Sequence, residues 1–149
     1  GTSFTNDASS TSVGSIDSTG SVNTDAGFSI ISWSGTGSNG TIAHGLGSAP
    51  KVVLLKERDG ANNWLMYHKT LNASLGDYSR FMTFNSNGAV AGANNVVFQN
   101  SVFTSSVFNV GTSAGSNGNG GAYIAYCFAE MEMLMEHLFT QDLNQLGLL

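Results

Sequence analysis

At 149 residues, with a net charge of −5 and only 10 % charged side chains, the chain is long enough for one domain whose core needs no disulfide. Five basic residues against ten acidic ones, without a basic stripe or a polybasic run, leave no electrostatic footprint for nucleic acid or for insertion into or binding at a membrane surface. The single cysteine, Cys127, excludes an internal disulfide, and no apolar run reaches the length of a membrane-spanning helix.

Ser, Thr, Asn and Gly take the place of the missing charges. Hydroxyl and amide side chains compete with helical backbone hydrogen bonds, so this composition suits turns and sheet faces. The chain begins at Gly1 and not at a methionine, and is expected to be a piece of a longer polypeptide or a recombinant segment.

Residues 1–27 carry isolated apolar side chains (Phe4, Val13, Ile16, Val22) in a Ser/Thr/Gly-rich background, which reads as a linker or as an arm added to a sheet edge. The domain proper is expected over 28–130. Phe28–Ser34 reads as a strand closed by the glycine-rich stretch 35–40, and Ile42–His44 as a short strand. Pro50 has no amide hydrogen and a fixed φ, which places it at the start of a strand. Lys51–Glu57 is a near-continuous apolar run, read as a central strand buried on both faces. After the Asp59-Gly60 turn, residues 63–69 alternate, with Trp64, Met66 and His68 on one side and Leu65 and Tyr67 on the other. Strands are also expected over Tyr78–Phe84, Val96–Gln99, Val102–Val110 and, past a loop at 111–121, Ala122–Phe128. About eight short strands separated by polar turns predict an all-β fold, an antiparallel sandwich of jelly-roll type. In 131–149, Met131, Leu134, Met135, Leu138, Phe139, Leu143 and Leu146 recur at helical spacing, which predicts a C-terminal amphipathic helix.

No catalytic set emerges from the residue types. The segment His44-Gly45-Leu46-Gly47 followed by Pro50 reads as a structural corner, its ring bound to nearby backbone, with a ligand or base role for His44 as the alternative. His68 reads as a half-buried strand histidine and His137 as a solvated one. Their spacing does not suit a metal site, and no cofactor is expected. Glu57 with Asp59 reads as loop charge, and Glu57 with Asp77 is the carboxylate pair that a glycan hydrolase or lyase would use. Trp33, Trp64, Tyr67 and Tyr78 could stack on sugar rings, although each lies inside a strand pattern that favours core packing. Asn39-Gly40-Thr41 and Asn72-Ala73-Ser74 match the glycosylation acceptor pattern, as chance allows in such a composition.

Several segments together resemble a domain that recurs in tail and virion-associated proteins of marine bacteriophages. They are 4–10, 26–30, 35–41, the corner 44–47 with Ala49-Pro50-Lys51, 64–68, and Tyr123-Ile124-Ala125-Tyr126-Cys127-Phe128-Ala129-Glu130. The likeness spans roughly residues 1 to 130. It implies a non-enzymatic structural or host-attachment module of the virion, made in the host cytoplasm and placed in a tail fibre or tail-associated protein. Its implied partners are other virion proteins, copies of itself, or a host surface glycan. It carries over no catalytic residues. A carbohydrate-binding module is the alternative, and a glycan hydrolase or lyase the second. Similar proteins continue with a glycine- and aromatic-rich β repeat where this chain has Met135–Leu149. Codons can be written for which that repeat, read one base later, spells this tail. An out-of-frame product is therefore one expected origin of 131–149, and the gene sequence tests it.

Overall fold

Runs of β-branched and aromatic side chains become strands because they fit a pleated surface with one face in a core. The computed structural model describes residues 1–70, 72, 76–92 and 94–130. Among these, nine strands form: β1 (Thr2–Asn6), β2 (Ser18–Asn23), β3 (Phe28–Ser34), β4 (Gly40–Ala43), β5 (Pro50–Glu57), β6 (Leu65–His68), β7 (Met82–Thr83), β8 (Val107–Val110) and β9 (Ala122–Ala129). The helical turns α1 (Ala8–Thr11) and α2 (Ala114–Asn117) sit in connections. The fold is mostly antiparallel β, as expected. A seven-stranded sheet has the order β1-β2-β3-β9-β5-β6-β7, and β4 pairs with β8 in a separate ribbon.

Residues 1–27 supply sheet edge and not linker. β1 pairs with β2 and β2 with β3, both antiparallel. Between them Asp7 caps α1, its Oδ1 accepting from the amides of Ser9 at 3.0 Å and Ser10 at 3.2 Å. The last strand among the described residues, β9, enters the middle of the sheet between β3 and β5.

The core lies on one face of the large sheet. Ile31 and Trp33 from β3, Val53 and Leu55 from β5, Leu65 and Tyr67 from β6, and Tyr123, Ala125 and Cys127 from β9 are buried there. Against them pack Ile42, Phe108 and Val110 of the ribbon, with Ile16, Leu46, Val97, Phe98 and Phe103 from connections. The arrangement is sandwich-like, but its second layer is a short ribbon plus buried coil. Aromatic stacking ties that coil to the sheet, with Phe103 over Tyr67 at 4.0 Å and 26° and Phe98 edge-on to both.

Two expected strands are shorter than their patterns suggest, and a third is replaced by a turn. Tyr78–Phe84 reduces to β7, because side chains take the backbone donors. Asp77 Oδ1 accepts from Ser79 N at 2.9 Å, Asn100 Oδ1 from Tyr78 N at 2.9 Å, and Asn72 Oδ1 from Arg80 N at 3.0 Å. Val96–Gln99 forms a turn in which Asn94 Oδ1 accepts from Val96 N. Val102–Val110 contracts to β8, because Thr104 Oγ1 accepts from the amides of Ser106 and Val107. β5 is central, as expected, but only one of its faces is buried: Val53 and Leu55 are 0 % exposed, while Val52, Leu54 and Lys56 are half-buried. The expected helix over 131–149, with His137, lies outside the described residues, as do Ala73 and Ser74.

Candidate functional site

The corner after β4 is built around His44. Its ring is fully buried; Nδ1 accepts from Leu46 N at 3.2 Å, so the proton sits on Nε2, which donates to Thr104 O at 3.1 Å. Burial holds its pKa below 6.5, with the Thr104 carbonyl opposing the shift. Gly45 and Gly47 take φ of 72° and 75°, the left-handed region closed to most side chains. Pro50 opens β5 beside a bulge between Pro50 and Val52. The ring nitrogens are thus committed to the backbone, and the corner packs against the edge hairpin near Phe4 and Val22.

Trp33 and Tyr67 belong to the core. Trp33 stacks on Tyr123 at 5.4 Å and donates through Nε1 to Asn117 Oδ1 at 3.2 Å. Asn117 is a fully buried hub. Its Oδ1 also accepts from Thr36 N, and its Nδ2 donates to Thr36 Oγ1 and to Ser38 O, joining the glycine-rich loops 35–40 and 111–121. Nothing in the spacing of the sequence marked Asn117 for this role. Tyr67 has no exposed surface, and burial, aided by the nearby Tyr78, pushes its hydroxyl up to about 12. The Cys127 thiol is likewise raised to about 12 by burial, which leaves it a packing group.

Trp64 sits on the other face of the sheet. There the pairing registers line up Phe28, Phe128, Val52 and His68 in one row and Ile30, Tyr126, Leu54, Met66 and Met82 in the next. Trp64 lies tilted against Tyr126 at 6.0 Å; Phe28 stacks on Tyr126 at 6.4 Å and leans on Phe128 at 5.0 Å. Leu54, Trp64, Phe84, Asn85, Tyr126 and Phe128 line a groove of about 440 Å³. Phe84 is 59 % exposed and Phe128 39 %. Aromatic side chains left in water around a groove are a feature of binding surfaces. With Asn85 as the one amide in the lining, the groove suits apolar side chains better than sugar hydroxyls. One signal for this face was present in the sequence: both parities of Ala122–Phe128 are apolar, so one set must meet something other than the core.

A second, polar groove of about 390 Å³ crosses one end of the sheet, where Asp7, Asp17, Thr19, Ser32 and Arg58 line it beside the edge of Trp33. Asp7 is held below the usual carboxylate range by the Ser9 and Ser10 hydrogen bonds, and Asp17 Oδ1 accepts from Ala8 N. Glu57 and Asp77 line neither groove. Glu57 accepts from Asn62 Nδ2, and Asp77 is bound by Ser79 and lies beside Arg80. Among the described residues no group of three or more His, Cys, Asp or Glu is placed to hold a metal ion, and no helix is long and apolar enough to cross a membrane.

Residues 3–134 match the family described as Domain of unknown function (DUF7483), and the chain belongs to that family. No curated protein and no solved structure matches it.

Proposed function

We propose that this member of the DUF7483 family is a non-enzymatic structural module of a phage virion, carried in a tail fibre or tail-associated protein, that assembles with protein neighbours through the outer face of its large sheet. The observation that carries the reading is the apolar groove around Trp64 and Tyr126, with Phe84 and Phe128 in water beside it. The sequence resemblance to virion-associated domains supports the same reading and supplies its setting. The architecture in this proposal is a sandwich of jelly-roll type, with the seven-stranded sheet as one layer and the β4–β8 ribbon with coil 94–106 as the other.

Two measurements test it. The parent gene should lie among phage structural genes; a neighbourhood without any would refute the virion setting. Trp64→Ser with Phe84→Ser should lower self-association or binding to co-purified virion proteins, read by light scattering, and leave the far-ultraviolet spectrum unchanged. Association that survives the double substitution would remove the groove from assembly.

A second reading, a glycan-binding module in contact with the host surface, is favoured by the polar groove with its carboxylates, hydroxyls and Arg58. A glycan array decides it, with Arg58→Ala as the control that should abolish any signal.

A further inference from the structure

The sequence contains four Asn-Gly pairs, at 39–40, 87–88, 117–118 and 119–120. Glycine after asparagine lets its amide nitrogen approach the asparagine side-chain carbonyl, because no Cβ stands in the way. The fold treats the four pairs differently. The Asn117 carboxamide is buried and fully bonded, and Gly118 N donates to the Tyr123 hydroxyl at 2.7 Å. Gly120 N donates to Gly35 O at 2.8 Å. Gly40 is a buried residue of β4 opposite Val110, with Ile16 Cδ1 only 2.5 Å from where a Cβ would stand, so the Asn39 junction is held in strand geometry.

Asn87 is the exception. Asn87 and Gly88 are both exposed and lie outside every strand and helical turn. Gly88 N has Ser86 Oγ at 3.3 Å, the long end of the hydrogen-bond range. The Asn87 carboxamide makes no hydrogen bond among the described residues, and a Cβ on Gly88 would meet nothing but Ser86 Oγ within 4 Å.

We propose that Asn87 is a site of spontaneous deamidation. The deprotonated Gly88 nitrogen attacks Asn87 Cγ. The N–Cγ bond forms, the Cγ–Nδ2 bond breaks, and the side-chain nitrogen takes a proton from water and leaves as ammonia. Water then opens the resulting succinimide at either carbonyl, giving aspartate or isoaspartate. The steps are nucleophilic substitution and hydrolysis, with no change of oxidation state. Gly88 N gives up only its long, exposed contact with Ser86 Oγ, whereas the other three junctions must break a shorter hydrogen bond or leave a strand, which adds to their barrier.

The test is peptide mapping by mass spectrometry of the full chain aged at mildly alkaline pH, folded and in denaturant. In denaturant the four pairs should convert at similar rates. In the folded chain Asn87 should lead the other three by at least about tenfold, the ratio that ~1.4 kcal/mol of barrier gives. Gly88→Ala should slow Asn87 and leave the others unchanged. Conversion of Asn39, Asn117 or Asn119 at the rate of Asn87 in the folded chain, or an intact Asn87 when the denatured chain has converted, would overturn the proposal.

Discussion

Tyr67 carries a hydroxyl into the core that meets no partner among the described residues, while its ring stacks on Phe103. A buried, unbonded hydroxyl costs stability, whereas the ring contributes it. Tyr67→Phe should therefore keep or raise the unfolding free energy read from urea denaturation, by up to about 1–3 kcal/mol if the full desolvation penalty is recovered. A clear loss of stability would show that the hydroxyl has a partner. The alternation of residues 63–69 was legible as two faces of one strand, and Tyr67 and Trp64 do fall on opposite sides. Which side faces the core was not legible, because both faces are apolar and only the packed second layer breaks the tie.

Among the elements, the corner between β4 and β5 shows local chemistry at its clearest. His44, Gly45, Gly47 and Pro50 were recognisable from residue type, since each meets a backbone requirement that travels with the chain. The two glycines differ in surroundings. A Cβ on Gly47 would meet nothing within 4 Å, whereas one on Gly45 would lie 3.2 Å from Phe4 Cε1 and 3.4 Å from Val22 Cγ1. Gly47→Ala should cost only the left-handed backbone penalty of about 1–2 kcal/mol. Gly45→Ala should cost more, because it also presses on β1 and β2. Chemical denaturation of both variants measures the difference, and equal losses would show that the edge hairpin yields freely. The strands expected at 78–84 and 102–110 shortened, and the one at 96–99 gave way to a turn, for a reason of the same local kind. Their Asn, Asp, Ser and Thr neighbours bind the backbone donors a ladder would need.

At the scale of the whole molecule, stability should depend on pH through His44. Its folded pKa is depressed below 6.5 by burial, so the ring is neutral in both states above that value and the protein has its full stability there. As pH falls through 6.5 the unfolded chain takes up the proton first, and stability declines until the folded pKa is reached. Asp7, Asp77 and Glu130, whose pKa values are lowered by hydrogen bonds and, for Glu130, by Lys51, act only at lower pH, below ordinary values of 3.8 and 4.5. Denaturation series stepped down through 6.5 should show the decline, and His44→Gln should flatten it; an unchanged slope in the variant would assign it elsewhere. The two-layer antiparallel plan was readable from spaced apolar runs and polar turns, because strand periodicity and turn chemistry are local properties. Three things were not: the insertion of β9 between β3 and β5, the choice of sheet edge over linker for residues 1–27, where the sequence left both open, and the Asn117 hub. Each joins residues far apart in the chain. The sequence alone determined that these segments would be strands and corners, since φ, ψ and hydrogen-bonding preferences act over a few residues. Only the tertiary structure decided which apolar face became the core and which, with Trp64, Tyr126 and Phe128, was left facing water, because covering a face depends on which distant segments arrive to pack on it.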